Sequence, residues 1–338
     1  MRVLSASLLA LATALTLGGC AATQMRTPVA SILVDLDPLS TDRTVIIENI
    51  TADRAGRLYT ADRVTGNILR VDPKSPQAVV VGKIESRTAA DGKKVDPLPG
   101  GIAFDANGDL YFAAAPFGEV VRIKAADLNA AKPGVAQTFA TGVPGANGMA
   151  FDSRGILYVS GGASGLVYNV GPNGGVAQAA AQIDKNVRSL PNSTATQAIV
   201  ANGLKFDAAG VLHVADTSRG AVWKVVIGAD GKGGKPALLA QSPLLEGADD
   251  MAFSSSGDLW VAANEQNAIV AVSPAGVVKT IAKNGSQGPL EFPAALVFVG
   301  NTAYVANFDV PRRDNLDATG ATAKDGVGAS IAQIVIAR

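Results

Sequence analysis

Hydrophobic residues in this chain stand in short runs that alternate with polar turns. The run Met149–Phe151, for example, is followed by Asp152 and Gly155 and then by a second apolar run at 157–159. Aspartate at the start of a turn accepts local hydrogen bonds, and glycine supplies the positive φ that many turns need. The second runs are rich in β-forming residues, and no stretch keeps a helical period. The pattern predicts an all-β protein built from hairpins.

The hairpin pattern recurs six times along the chain. Its copies begin at Glu48, Gly100, Asn147, Asn202, Asp249 and Ala294. Further apolar runs after each hairpin give about four strands per repeat, which is typical of a β-propeller, so we predict six four-stranded blades. Because an open ring would expose strand edges, we expect residues 31–37 to supply the outer strand of the last blade. The polar insert from Asp309 to Ala329 is expected to be a surface loop.

The first residues are typical of an export signal. Met1 and Arg2 give a positive end, residues 3–17 are largely apolar, and the run ends in Leu-Gly-Gly-Cys. The apolar run is shorter than the ~20 residues that a membrane-spanning helix needs. The ending resembles the lipobox of bacterial lipoproteins, which predicts cleavage before Cys20 and attachment of lipid to it. The alternative is a plain cleaved signal and a secreted protein.

This interpretation divides the chain into a signal peptide at 1–19, a tether at 20–30 and a single propeller at 31–338. The exported protein is then a periplasmic or cell-envelope lipoprotein that contacts a membrane only through its lipid. Cys20 is the only cysteine, so no internal disulfide can form. We expect the propeller to be monomeric.

Composition and charge exclude further classes. Hydrophobic residues make up 48% of the 338 residues and charged residues 17%, which favours a well-buried globular body over a disordered chain. Lys plus Arg and Asp plus Glu both number 29, so the chain has no basic excess with which to bind nucleic acid.

The first residues of the six repeats form a column with a common chemistry. The first strand of each propeller blade lies along the central axis, so residues just before it gather around that axis. Four of the six carry a side-chain oxygen, namely Glu48, Asn147, Asn202 and Asp249, and the other two are small. Carboxylate and amide oxygens are ligands of Ca²⁺, and the absence of His and Cys from the column disfavours zinc. The column predicts a site for calcium or another divalent cation, although Asn-Gly is also ordinary turn chemistry.

With these residues in order, the chain resembles the senescence marker protein/gluconolactonase family, which includes regucalcin and sugar lactonases, over about residues 44–338. It is also similar to diisopropyl-fluorophosphatase and, more distantly, to paraoxonases. Family members carry Glu before the first inner strand, Asn in the third and fourth blades and Asp in the fifth, as this chain does. One departure is Gly145, where sugar lactonases often have a substrate-contacting arginine. The resemblance implies a calcium-dependent hydrolase of lactones or related esters, with a less polar substrate than a sugar lactone left open.

Metal chemistry gives each residue of the column a role. The ion acts as a Lewis acid on the substrate carbonyl. Asp249 is the candidate general base or nucleophile, because it can reach both metal and substrate. Glu48 and Asn202 hold the ion, and Asn147 either ligates it or orients the substrate.

Other candidates and other functions follow from the same pattern. Arg188, in the loop 185–200, and Asp250 are candidates for substrate contacts, as is the loop 86–98. His213 aligns with the tyrosines and tryptophan of the second strands, which favours a packing role. A non-enzymatic binding propeller with a structural calcium ion, and a carbon–oxygen lyase or synthase on the same fold, remain the alternatives.

Overall fold

The computed structural model describes residues 28–37, 44–183, 197–285, 288–309 and 328–336. These residues form six small antiparallel sheets, and the first strand of each sheet contacts the first strand of the next. The contacts run from the first sheet to the sixth and back to the first, so the sheets close into a ring. The architecture is the predicted six-bladed β-propeller.

Each blade has four strands, ordered from the central axis outwards. The inner strands are Thr51–Ala52, Pro99–Phe104, Met149–Phe151, Leu204–Phe206, Ala248–Phe253 and Pro293–Val299. The second strands are Leu58–Ala61, Leu110–Ala114, Leu157–Ser160, Val211–Asp216, Leu259–Ala263 and Thr302–Asn307. The third strands are Asn67–Asp72, Glu119–Ile123, Leu166–Val170, Ala221–Val226, Ala268–Val272 and Ser330–Val335. The outer strands are Ser75–Lys83, Gln137–Thr141, Gln178–Gln182, Ala237–Gln241, Val278–Lys283 and Ala30–Asp35.

Helical structure among the described residues is limited to single 3₁₀ turns. These are Ala115–Phe117, Ala125–Asp127, Thr217–Arg219, Pro243–Leu245 and Asn264–Gln266. No helix in these ranges has the length and apolar character that crossing a membrane requires.

The ring closes through the N-terminal strand, as predicted. Ala30–Asp35 pairs antiparallel with Ser330–Val335, and the Leu36 amide donates to the Ala329 carbonyl at 2.9 Å. The last blade therefore combines strands from both ends of the chain. The N-terminal strand pairs with the edge of Ser330–Val335 that would otherwise be exposed, and it gives this blade four strands like the others.

Three strand pairings were not predicted. Gly134–Val135 and Gly175–Val176 pair in parallel with the outer strands of the first and second blades, so these two sheets have five strands. Arg87–Thr88 and Lys94–Val95 form a small separate hairpin within the predicted loop 86–98. Each pairing involves only two residues per strand, which is too short to leave a pattern in the sequence.

Neighbouring blades pack through an aromatic contact that repeats around the ring. An aromatic ring of one second strand meets the edge or face of a phenylalanine in the next inner strand, as in Tyr59–Phe104 with centroids 5.0 Å apart. His213 and Phe253 make the same contact at 5.1 Å, and His213 is buried. Burial lowers the pKa of the His213 imidazole. The structure therefore gives the only histidine a packing role.

The insert of the last blade lies mostly outside the described residues. Its two described ends, Asp309 and Ala329, are buried rather than exposed. Cys20 and Arg188 also lie outside the described residues.

Candidate active site

The inner strands begin around one small cavity on the propeller axis. Residues from all six blades line it: Glu48, Asn49, Gly100, Gly101, Asn147, Gly148, Asn202, Gly203, Asp249, Asp250 and Ala295. The four oxygen-bearing residues of the predicted column therefore meet at one place. The cavity leaves a space of about 10 Å³, which suits a single water molecule or a small ion.

Glycines that directly follow the first residues of the second, third and fourth repeats allow the inner strands to approach each other closely. A Cβ atom at Gly148 would lie 2.3 Å from the Asn202 carbonyl oxygen, and one at Gly203 would lie 2.6 Å from the Asp249 carbonyl oxygen. A Cβ at Gly101 would lie 2.4 Å from the Asn147 carbonyl oxygen. Each glycine thus admits the backbone of the next blade.

Two ligand candidates are oriented by side chains from their own blades. Asn264 donates from Nδ2 to Oδ2 of Asp249 at 2.9 Å. Asn202 donates from Nδ2 to Oγ1 of Thr217 at 2.9 Å, which aligns the amide and leaves its oxygen available. The Thr217 hydroxyl in turn donates to the Ala248 carbonyl at 2.6 Å. Both headgroups are therefore held by hydrogen bonds before any ligand binds.

Asp249 carries an unusually basic carboxyl group. Its side chain is 7% exposed. Burial, and then the neighbouring charge of Asp250, raise its pKa to about 8, against smaller opposing effects of Asn264, Asn202 and Arg63. At neutral pH the carboxyl is therefore largely protonated unless a cation binds beside it. A carboxyl group in this condition is a suitable metal ligand or general base.

Glu48 forms an ion pair with Arg63, a residue outside the predicted column. Arg63 contacts Oε2 of Glu48 through Nη1, and the same nitrogen donates to the Pro99 carbonyl at 3.1 Å. The guanidinium carbon lies 5.3 Å from the centroid of the Phe308 ring. Burial lowers the pKa of Arg63 to about 10, whereas the charge of Asp249 raises it, so the group remains cationic at neutral pH.

Asn147 lies opposite small residues. Its Oδ1 atom would be 3.3 Å from a Cβ at Gly100, so glycine there leaves room for the amide. Its backbone is fixed, because its amide donates to the Ser160 carbonyl at 2.9 Å and its carbonyl accepts from the Gly101 amide at 2.7 Å. The side chain is thus presented to the axis by a fixed backbone.

Asp250 lines the same cavity but is engaged differently. Its Oδ2 atom accepts from Lys205 Nζ at 3.2 Å, and its Oδ1 atom is buried with no hydrogen-bond partner among the described residues. The Lys205 pair largely balances its charge. Its effect on the site is electrostatic, because its charge raises the pKa of Asp249.

The side chains that contact Glu48, Asn202 and Asp249 occupy a second set of equivalent positions in the repeats. They follow the aromatic residue of each second strand by four positions: Arg63, Ala115, Gly162, Thr217, Asn264 and Phe308. Sequence alignment of the repeats identifies this column directly, but the polar members carry no common chemistry. The contacts Arg63–Glu48, Thr217–Asn202 and Asn264–Asp249 each occur within one blade.

The donor set fits a hard divalent cation. Two carboxylates and two amide oxygens border a space of ionic size, and the raised pKa of Asp249 shows a carboxyl that lacks a compensating charge. Among the described residues, no group of three or more His, Cys, Asp or Glu side chains surrounds a common point, so a zinc-type cluster is not found there. Larger clefts of about 440 and 460 Å³ lie between blades at the turns after the inner strands, away from this chemistry.

Comparison with known sequences gives one match. Residues 139–306 match the model of a family described as SMP-30/Gluconolactonase/LRE-like region. This stretch includes Asn147, Asn202 and Asp249. No curated protein sequence matches the chain.

Solved structures with the same fold are numerous. A gluconolactonase from Xanthomonas campestris is 15% identical, with a TM-score of 0.64 over 93% of this chain and 91% of that one. A calcium-binding regucalcin from Agrobacterium tumefaciens is 14% identical, with a TM-score of 0.59 over 93% and 96%. Virginiamycin B lyase from Staphylococcus aureus is 11% identical, with a TM-score of 0.53 over 88% and 97%. At these identities the likeness shows the fold alone.

Proposed function

Because residues 139–306 place the chain in the SMP-30/gluconolactonase/LRE-like family, we propose that it is a divalent-cation-dependent hydrolase of lactones or related esters. Calcium is the proposed cation, and the substrate is a small molecule bound at the mouth of the axial cavity. The gluconolactonase and regucalcin folds support the proposal without defining the substrate.

The observation that carries the proposal is the convergence of Glu48, Asn147, Asn202 and Asp249. Neighbouring members of this set are separated by 47 to 99 residues in the sequence, yet all four line one cavity of ionic size. A scaffold would not require a buried acid on its axis, because burial and the charge of Asp250 disfavour the ionisation of Asp249. A bound cation would offset this unfavourable interaction.

Each residue has a role that its contacts support. A divalent cation, when bound, polarises the carbonyl of the substrate. Glu48 and Asn202 hold it, and Asn147 either joins them or donates to the substrate oxygen. Asp249, whose carboxyl orientation is fixed by Asn264, acts as the base or the nucleophile. As a base it takes a proton from the attacking water and returns it to the alkoxide that leaves when the C–O bond breaks.

The first experiment measures turnover and metal binding in the same preparations. The purified protein is assayed on a panel of lactones and aryl esters with calcium, magnesium or manganese, and again after addition of a chelator. We expect turnover that is lost with the chelator, and a loss of about 10²–10⁴-fold in Asp249→Asn. Calorimetry should show weaker calcium binding in Glu48→Gln. Asp91→Asn, at an acid exposed on the surface, is the matched control.

The other outcomes identify the rival functions. Melting induced by the chelator without turnover on any substrate would indicate a binding propeller with a structural cation. Turnover that survives complete removal of metal would contradict the role given to the cation. Elimination products in place of hydrolysis products would indicate a lyase. A single turnover in H₂¹⁸O then separates the two roles of Asp249, because only a nucleophile incorporates the label into the protein.

We also propose that the protein is exported and anchored by lipid on Cys20. The support is the order of charge, apolar run and Leu-Gly-Gly-Cys in the first residues. Metabolic labelling with a radioactive fatty acid should mark the wild-type protein and not Cys20→Ser. An unlabelled wild-type protein in the culture medium would instead indicate a secreted form.

A further inference from the structure

Arg63 introduces a permanent positive charge beside the axial cavity, because it contacts Glu48, which lines that cavity. It follows the second strand of the first blade, and its side chain is 19% exposed. Three blades hold it: Glu48 in its own blade, the Pro99 carbonyl in the second and the Phe308 ring in the sixth. A guanidinium with these contacts is fixed in position before a ligand arrives.

The contacts of Arg63 leave part of its donor capacity unused. A guanidinium has five N–H donors in a planar fork. Both polar contacts use Nη1, and no described residue accepts a hydrogen bond from Nε or Nη2. Those two nitrogens form the edge that binds a carboxylate through two parallel hydrogen bonds.

Glu48 can serve Arg63 and a cation together. Arg63 contacts only Oε2, so Oε1 remains for a metal. With a divalent cation bound, the charges of Glu48 and Asp249 balance the cation, and Lys205 balances Asp250. The positive charge of Arg63 is then in excess.

We propose that Arg63 makes the axial site selective for ligands and substrates that carry a carboxylate, which binds to its Nε–Nη2 edge. The substrate part of this inference rests on the proposed hydrolase function, whereas the ligand-binding part does not. The substrate class is therefore a lactone or ester with a carboxylate beside the ring or the acyl group. A neutral lactone of the same size lacks a partner for this edge.

A pair of matched ligands tests the binding directly. 2-Hydroxyglutarate and 4-hydroxypentanoate differ in having a second carboxylate or a methyl group at the same carbon. In calorimetric titrations with saturating calcium, we expect wild type to bind 2-hydroxyglutarate at least tenfold more tightly, or about 1.4 kcal/mol. Arg63→Gln should reduce this preference to less than threefold. Arg63→Lys, which keeps the charge without the planar fork, should fall between them.

The control variant is Arg57→Gln, which removes an arginine paired with Asp53 in a distant cleft and should preserve the preference. Thermal melting with calcium confirms that each variant is folded. If Arg63→Gln does not fold, Arg63→Lys still decides the question, because an unchanged preference in it would overturn a bidentate contact. Tighter calcium binding in Arg63→Gln with an unchanged ligand preference would also overturn the proposal, since Arg63 would then only compete with the metal.

Turnover of the matching lactones separates this inference from the proposed function. 5-Oxotetrahydrofuran-2-carboxylate and γ-valerolactone are the lactones of the two hydroxy acids. Ligand preference that depends on Arg63 without turnover of either lactone would leave the inference standing and remove the hydrolase. Equal turnover of both lactones in wild type and Arg63→Gln would leave the hydrolase and overturn the inference.

Discussion

The raised pKa of Asp249 predicts that the metal-free protein loses stability as the pH rises. The carboxyl titrates near 8 in the folded state and near 3.8 in an unfolded chain. Between these values the folded state binds one more proton, so the stabilisation is fully present below about pH 4 and is lost as the pH approaches 8. Each pH unit in this window is worth about 1.4 kcal/mol. From pH 6 to pH 7.5, the contribution of Asp249 to the free energy of unfolding should fall by about 2 kcal/mol.

Comparison with Asp249→Asn isolates this contribution, because asparagine has a similar shape and does not titrate. Urea denaturation of both proteins in chelator at several pH values gives the difference in unfolding free energy. Between pH 6 and pH 7.5, wild type should lose about 2 kcal/mol of unfolding free energy relative to Asp249→Asn. Asp91→Asn, at a side chain that is 55% exposed, should follow wild type. Parallel profiles for wild type and Asp249→Asn would refute the argument that Asp249 is buried without a compensating cation.

Three further predictions concern the frame of the site. Gly148→Ala should lower the melting temperature and weaken calcium binding, because its Cβ would lie 2.3 Å from the Asn202 carbonyl oxygen; Gly171→Ala, whose Cβ meets its nearest atom at 3.9 Å, is the control. Asp216→Ala should cost about 3–5 kcal/mol in denaturant unfolding, because it removes the carboxylate of a buried ion pair with Arg219; a loss below 1 kcal/mol would contradict this. His213→Tyr should keep at least half of any lactonase turnover, because His213 packs against Phe253; abolished turnover in a folded variant would restore a catalytic role.

The fold was predictable because each repeat contains the turn residues that fix the register of its hairpin. In each copy the turn residues fix where the hairpin reverses, so Met149–Phe151 was predicted with its observed bounds and the closing strand to within two residues at either end. Pairings that depend on the path of a loop were missed, such as Gly134–Val135 against the first blade. A pairing of two residues per strand buries too few side chains to require an alternation of hydrophobic and polar residues in the sequence.

The site was predictable as far as it follows the symmetry of the ring. Glu48 and Asp249 occupy equivalent positions, so their meeting at the axis follows from blade order alone. Arg63 was missed because its column contains alanine, glycine, threonine, asparagine and phenylalanine as well. The pKa of Asp249 could not be inferred either, since it depends on burial and on the direction in which Asp250 points.

Two sets of equivalent positions shape the site in different ways. The inner column consists of the first residues of the repeats and the residues next to them, and the outer column consists of Arg63 and the residues equivalent to it. The inner column is fixed by backbone: the amide of Gly101 donates to the Asn147 carbonyl at 2.7 Å and that of Gly203 to the Asp249 carbonyl at 3.2 Å, so ligand positions are linked from blade to blade. The outer column acts through side chains on the connections between second and third strands, where a substitution need not shift the inner strands. A change such as Arg63→Gln should therefore alter the charge and selectivity of the site while the cation ligands stay in place. The same four cation ligands can then act on different substrates, according to the residues of the outer column.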